Sequence, residues 1–366
     1  MRLLARTTAT TAVGAILLVM AGVTATAASA APASARSWRI AYKADVDGSS
    51  FQSMLAISAK DVWALGESNE YGNYNVPVIR RWNGKSWADV RVPARFSHSG
   101  PTAIAASSAR DVWVFGEYAT DNGTRAHVYA IRWNGRSWSA HGLWPTYNTI
   151  SSAVVRGPGN VWVFGPLGTR HYNGRTWKVY RLPYSITTAT ADSSSSVWAV
   201  GAMDSTGTPV LARWSAGTWT TVPLPSISSA PPGPVLNSVT VADGAVWVAG
   251  YTSTSRGALR TLVLRRTGGA WRRLSPPNSA LDGIGDLVPD GTGGVWVSST
   301  FTLDNETAAH FTGGRWHVSH LPTGGQIISL NALAHVPHSE IVYVAGLEYP
   351  TRLGPAAHGL VERYSR

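Results

Sequence analysis

The sequence predicts an all-β fold, a seven-bladed β-propeller with four strands in each blade. Three observations carry that expectation. "DVWALG" at Asp61–Gly66 returns as "DVWVFG" at Asp111–Gly116, and the same tryptophan slot recurs at Trp162, Trp198, Trp247 and Trp296, with Tyr343 in a seventh. Successive spacings are 50, 49, 36, 49, 49 and 47 residues, the period of a four-stranded blade. A second motif follows each first one: "RWNGKSW" at Arg81–Trp87 and "RWNGRSW" at Arg132–Trp138. Finally, the last repeat runs out at Arg366 one strand short, and "RSWRIAYKA" from Arg36 supplies a strand of the missing kind.

The first 30 residues read as an export signal and the next five as a linker. Arg2 and Arg6 precede the apolar run Ala12–Val23, and small residues lead to Ala28-Ser29-Ala30, with Ala33-Ser34-Ala35 as a second cleavage site. The apolar run is about half of the roughly 20 residues a spanning helix needs, so a secreted chain without stable membrane insertion is expected. With no Cys, disulfides, thiolate metal sites and cysteine nucleophiles are excluded.

Within the propeller, residues 36–366, each unit parses by alternation and punctuation. In the first, Gln52–Ile57 is the inner strand, Asp61–Gly66 the second, Pro77–Trp82 the third and Ser86–Val92 the outer one. Asn83-Gly84 is a strong hairpin signal between the last two, and Pro93 closes the outer strand, where a missing donor does least harm. Aligning Tyr364 with Trp82 and Trp38 with Trp87 closes the ring through the residues that follow the linker, which removes the free sheet edges of an open array.

Sixteen of the seventeen tryptophans fall in repeat slots, on second, third and outer strands. Their regular recurrence assigns them to packing between blades, where large flat side chains fill the widening gap away from the axis. The residue before the third-strand aromatic is basic in every unit: Arg81, Arg132, His171, Arg213, Arg265, His310 and Arg363. Strand neighbours point to opposite faces, so these cations are expected to stack on a ring, snorkel, or pair with an adjacent blade.

Single glycines on the second strands, third-strand aromatics, tight turns and outer-strand Trp-to-Pro segments together resemble kelch repeats and galactose-oxidase-type propellers. Secreted bacterial propellers with "DVWAVG…WNGxxW" blades are the most similar. The resemblance covers Arg36–Arg366 and departs from true kelch in carrying one glycine rather than two. It implies an interaction platform more often than an enzyme, and the fold alone does not choose between them.

Charge and chemistry narrow the classes. Lys+Arg number 31 against 20 Asp+Glu, a net +11, and only Arg2 and Arg6 of that excess belong to the leader. The arginines recur blade by blade without a long basic run, which argues against a nucleic-acid partner and for weak attraction to anionic cell-wall polymer. The copper oxidase chemistry of the related propellers needs a Cys and is excluded. No calcium loop, P-loop, G-x-G-x-x-G or G-x-S-x-G is present, and no cofactor or metal is expected. Asp286 is the one carboxylate within an inner strand, with Asp192 and Asp290 at inner-strand ends. No spacing marks the pair a glycosidase needs.

What remains is a rim of long, individual loops between second and third strands. Glu67, Tyr71, Tyr74, Glu117, Tyr118, Asp121, Tyr251, Asp304, Glu348, Tyr349 and Arg352 gather there, joined by Trp144, the one tryptophan off the repeat, and Tyr147. Carboxylates beside aromatic rings suit sugar or peptide recognition, and loops on rigid scaffolds carry function. The expectation is a monomeric, non-enzymatic propeller that binds a glycan or protein partner through this rim. The alternative is a polysaccharide-active hydrolase or lyase. For Trp144 the competing expectation is a plug at the irregular junction before blade three.

Overall fold

Seven antiparallel four-stranded sheets, each in the strand order of one repeat, form the blades of a β-propeller. The structure is a computed structural model. It describes residues 36–365 except 69–74, 121–124, 146–149, 166–167, 193–195, 277–280, 282–283, 300–306, 323–326 and 350–356. The expected leader and linker lie outside the described residues. No helix among them is long and apolar enough to cross a membrane.

Blade 1 shows how the repeat folds. Its inner strand is Ser49–Ser58, its second Asp61–Ser68, its third Val76–Trp82 and its outer one Trp87–Asp89. The second strand is almost wholly buried because blades cover both its faces, whereas the outer strand is mostly exposed. Asn83 Oδ1 accepts from the backbone N–H groups of Lys85 at 2.9 Å and Ser86 at 3.0 Å, and Gly84 takes the positive φ of 94° that the turn demands.

Second strands run further than the repeat suggested. The sequence places their ends at Gly66 and Gly116, but they continue to Ser68 and Thr120. The glycine is not a terminator. In blade 1 the inner strand bulges between Phe51 and Ser53, and a Cβ at Gly66 would run into the Ser50 carbonyl. Gly201, Gly250 and Gly346 face the same kind of bulge in blades 4, 5 and 7.

Ring closure follows the register read from the sequence. Ser37–Lys43 pairs antiparallel with His358–Ser365, and Trp38 lies opposite Tyr364, as Trp87 lies opposite Trp82 and Trp138 opposite Trp133. Blade 7 therefore takes its outer strand from one end of the described chain and the other three from the opposite end.

Core clusters form between blades rather than within them. Trp63, Leu65, Ile79, Val112 and Val114 share one cluster across blades 1 and 2, and Trp162, Phe164, Val197 and Ala199 another across blades 3 and 4. Outer-strand indoles also stitch blades by hydrogen bonds: Trp177 donates to the His141 carbonyl at 2.7 Å, Trp271 to Pro223 at 2.9 Å and Trp316 to Leu274 at 2.8 Å, each in the preceding blade.

Six of the seven basic residues stack, as expected, on the second-strand ring of their own blade. Arg81 lies 4.9 Å from the Trp63 centroid, Arg213 5.0 Å from Trp198 and Arg265 5.2 Å from Trp247, while His171 and His310 stack on Trp162 and Trp296 at 4.1 and 4.3 Å. Their ion pairing is within the blade, not with a neighbour. Asp61 accepts from Trp63 Nε1 at 2.9 Å and from Arg81 Nε and Nη2 at 2.7 and 2.9 Å. Asp111 does the same for Trp113 and Arg132, and Asn160 for Trp162 and His171. Blades 4 and 6 carry Ser196 and Gly294 in that slot, and a carboxylate from the inner-strand end substitutes. Asp192 accepts from Trp198 at 3.1 Å and Asp290 from His310 at 2.8 Å. In blade 6 a Cβ at Gly294 would fall 2.6 Å from Asp290 Oδ2, whereas in blade 4 Ser196 keeps its side chain and accepts from Arg213 Nε and Nη2 at 3.1 and 2.8 Å.

Candidate functional site

Two ends of the ring offer a site. At the end bearing the first-to-second strand turns, a cavity of about 1020 Å³ opens on the inner strands, lined among others by Thr190, Thr240, Asp286, Thr292 and His335. Asp286, the carboxylate expected near the axis, is engaged there by three donors. Its Oδ1 accepts from Leu287 N at 2.7 Å and Ser238 Oγ at 3.1 Å, and its Oδ2 from Leu333 N at 3.0 Å. One side chain thus ties blades 5, 6 and 7 together. Burial pushes its carboxyl above the usual range despite those donors, and among the described residues the one other carboxylate lining this cavity is the turn residue Asp243.

At the opposite end, the rim expected to carry function is described in part. Tyr71, Tyr74, Asp121, Tyr147, Asp304 and Arg352 lie outside the described residues. Glu117 and Tyr118 belong to the overrun of the blade 2 second strand, Asp111–Thr120, and the structure brings them beside Glu67 of blade 1. Glu67 Oε1 accepts from Gln52 Nε2 at 3.2 Å, and Asn75 also bonds its carboxylate. The carboxylate lies against Gly100, where a Cβ would come within 2.6 Å of Oε2, and Gly100 is the register partner of Glu117. A glycine on the inner strand of blade 2 thus lets two carboxylates from adjacent blades approach.

Among the described residues no cation pairs with either Glu67 or Glu117. Burial raises both carboxyls above their ordinary value, and the charge on Glu67 raises Glu117 further. Aromatic groups cluster on the adjoining strands: Tyr118 stacks with His127 at 5.4 Å and meets Phe96 edge-on at 5.5 Å. Tyr129 stacks on Phe96 at 4.5 Å, and its buried phenol, bonded by Ser99 Oγ at 3.1 Å, is pushed far above its usual pKa by desolvation first and by Glu67 as well.

The remaining candidates stand elsewhere on the ring. Tyr251 is half-buried in blade 5, in the strand Ala245–Ser253. Tyr349 ends the strand Val342–Tyr349 and is 44% exposed. Glu348 is a buried strand residue rather than a loop residue, because the strand overruns Gly346. Its carboxylate pairs with Lys43 of the ring-closing strand, which gives it a role in closure. Trp144 is half-buried at the junction of blades 2 and 3, edge-on to Trp177 at 5.0 Å with Arg170 over its ring at 5.3 Å. Gly142 lies beneath it, where a Cβ would touch the indole at 2.6 Å. That is the packing of a junction plug.

Sequence reasoning missed Gln52, Asn75 and Gly100. The signal for Gly100 was available: "SGP" at Ser99–Pro101 puts a glycine at the start of an inner strand where no turn requires it. Among the described residues no three of His, Asp and Glu gather as a metal site.

No family model matches the chain, and no curated protein does. Solved structures share its architecture. YCF48 bound to D1 peptide is similar over 90% of this chain and 97% of that one, at 13% identity and a TM-score of 0.59. The WD40 β-propeller domain of Doa1 matches over 90% and 97%, at 11% identity and 0.55. The GH74 xyloglucanase of Xanthomonas campestris matches over 85% of this chain and 53% of its own, at 13% identity and 0.55. At such identities the likeness establishes the propeller fold.

Proposed function

We propose that this protein is an exported, non-enzymatic binding propeller that captures a peptide or glycan partner across the loop rim of blades 1 and 2. The observation that carries the reading is the Glu67–Glu117 pair, two half-buried carboxylates with no cation paired to them among the described residues. A carboxylate partly withdrawn from water gains most from a ligand that donates to it. A lysine or arginine of a peptide, or a row of sugar hydroxyls, meets that need. YCF48, a propeller of similar architecture, is solved with a peptide bound. Export through the leader at 1–30, a kelch-like ancestry of the blades and a monomeric state belong to the same proposal.

A second reading has one observation in its favour. Two carboxyls held close, one raising the other, are also what a glycosidase uses as acid and base or nucleophile. Peptide and glycan arrays probed with the purified protein, followed by chromatography of any captured glycan, separate the two. Binding predicts capture that falls about tenfold or more, one charge-assisted hydrogen bond's worth, in Glu67→Gln and Glu117→Gln, with the captured ligand recovered intact. Recovery of cleaved glycan, abolished by either substitution, establishes the hydrolase instead.

A further inference from the structure

We propose that the outer hairpin of blade 5 is a second binding site, an arginine clamp for a base-free phosphate polymer. Residues 244–281 hold six arginines and no Asp or Glu. Four of them, Arg265, Arg266, Arg272 and Arg273, lie on the paired strands Leu259–Thr267 and Ala270–Arg273. Arg265 stands directly opposite Arg272, and Arg273 opposite Leu264. Opposed side chains on paired strands have Cβ atoms about 5 Å apart, and like charges there destabilise the sheet.

The counter-ion that blades 1 and 2 supply is missing here. Ala245 occupies the position of Asp61 and Asp111, two residues before the second-strand tryptophan. Both groups which that carboxylate would satisfy are left as buried donors without a partner, Trp247 Nε1 and Arg265 Nε, and Arg266 Nε is a third. Asp243, the carboxylate nearest Ala245 in sequence, lies against Gly293 of the next blade, and Asp282, nearer to the four arginines in sequence, lies outside the described residues. Among the described residues no carboxylate pairs with any of the four arginines. Blade 7 repeats the opposed pair as Arg39 and Arg363, but Arg39 there donates to Ser365 Oγ and Glu340 pairs with Arg36 close by. Blade 5 differs in having no such carboxylate near its opposed pair among the described residues; Arg273 Nε there donates to Ser275 Oγ at 3.2 Å.

The ligand chemistry follows from the forks. Each unit of a phosphate chain offers two non-bridging oxygens, enough for one guanidinium fork, and successive units of one chain can fill both forks of the opposed pair. Arg266 and Arg273, alternating to the other face of the same hairpin, extend the charge across the edge, which suits a linear chain of phosphates rather than a single ion. Among the described residues the one aromatic ring on the outer strand, Trp271, is half-buried, which leaves little of its face for a stacked base.

Fluorescence anisotropy of labelled inorganic polyphosphate tests the clamp, at low salt and again near 0.15 M, where the Debye length is about 8 Å. The account predicts that Arg272→Gln/Arg273→Gln, both on the exposed outer strand, weakens binding about tenfold or more and lowers the salt slope by about two. Arg110→Gln/Arg136→Gln, removing equal charge from blade 2, changes binding less than about twofold. Ala245→Asp restores the internal counter-ion and weakens binding with the melting temperature kept or raised. Poly(glycerol phosphate) binds like polyphosphate, and polygalacturonate more weakly. Equal losses in both double variants, unchanged binding in Ala245→Asp with the fold intact, or no polyphosphate binding at low salt overturn the clamp. Oligothymidylate binding more tightly per phosphate than polyphosphate overturns its base-free ligand.

Discussion

Asp61 receives three donors from two side chains, and that economy explains why the repeat writes Asp, Val and Trp together. Burying Trp63 with its N–H unmet and stacking Arg81 on the ring without a counter-ion would each cost stability; one carboxylate answers both. Asp61→Ala should therefore cost about 2–4 kcal/mol in chemical denaturation, since it leaves a buried donor and a partly buried cation unpaired. Asp61→Asn, which keeps the acceptor as Asn160 does in blade 3, should cost less than half of that. The aspartate was plain in the sequence, but its partner was not. Arg81 is 20 residues away, and only the register of Trp63 opposite Arg81 makes them one unit.

Titration at single residues sets the response to acid. Burial lowers His141, His171 and His335 below the ordinary value. The unfolded chain then takes up protons first, so the stability these groups contribute is complete above about pH 6.5 and declines as pH falls toward their folded values. Asp290, held far below the usual carboxylate range by His310, Thr292 and Gly294 against the opposing desolvation, adds stability that is lost below about pH 4. Asp286, Glu67 and Glu117 work in the opposite sense, being raised. Melting temperature against pH should fall in two steps, near 6 and below 4. His171→Asn should flatten the upper step, and a profile level from pH 8 to 5 would contradict the assignment.

At the scale of the strand, the tryptophans divide by what surrounds them. Trp87 meets Tyr42 of blade 7's outer strand at 5.6 Å and Tyr343 at 6.4 Å, and Trp138 meets Trp63 of blade 1 at 6.3 Å. Both are half-buried against these rings, so substituting either by Ala should cost about 2–4 kcal/mol, less than deletion of a fully buried aromatic. Trp144 shares that kind of environment with Trp177, so Trp144→Ala should also lower the melting temperature, by the equivalent of about 1–3 kcal/mol given its partial exposure. Capture on the arrays should change little. Strong loss of capture at unchanged stability would return Trp144 to the binding surface. The periodicity placed every blade and each strand order, because alternation and tight turns are local. It misplaced the strand ends, because the glycine it took for a boundary accommodates a bulge on a neighbouring strand, a contact no local window contains. Glu348 was read as a loop residue for that reason.

For the whole molecule, closure depends on Ser37–Lys43 completing blade 7, with Lys43 reaching Glu348 two strands away. Deleting 36–45 exposes the edge of His358–Ser365 and should cause aggregation or a large drop in melting temperature; melting at the intact temperature would refute closure. The loop rim was legible as a region, since only there does the sequence stop repeating, but the particular pair was not. Glu67 and Glu117 are 50 residues apart and meet because blades 1 and 2 are adjacent and Gly100 leaves room. The central claim is that a ligand is held at this rim, not at the cavity on the other end. Hydrogen exchange with and without a ligand taken from the arrays tests it most directly. The account predicts slowed exchange at the rim ends of the second strands, residues 66–68 and 116–120, and at Asn75. Protection confined to the opposite end, at 289–293 and 335–338, would contradict it.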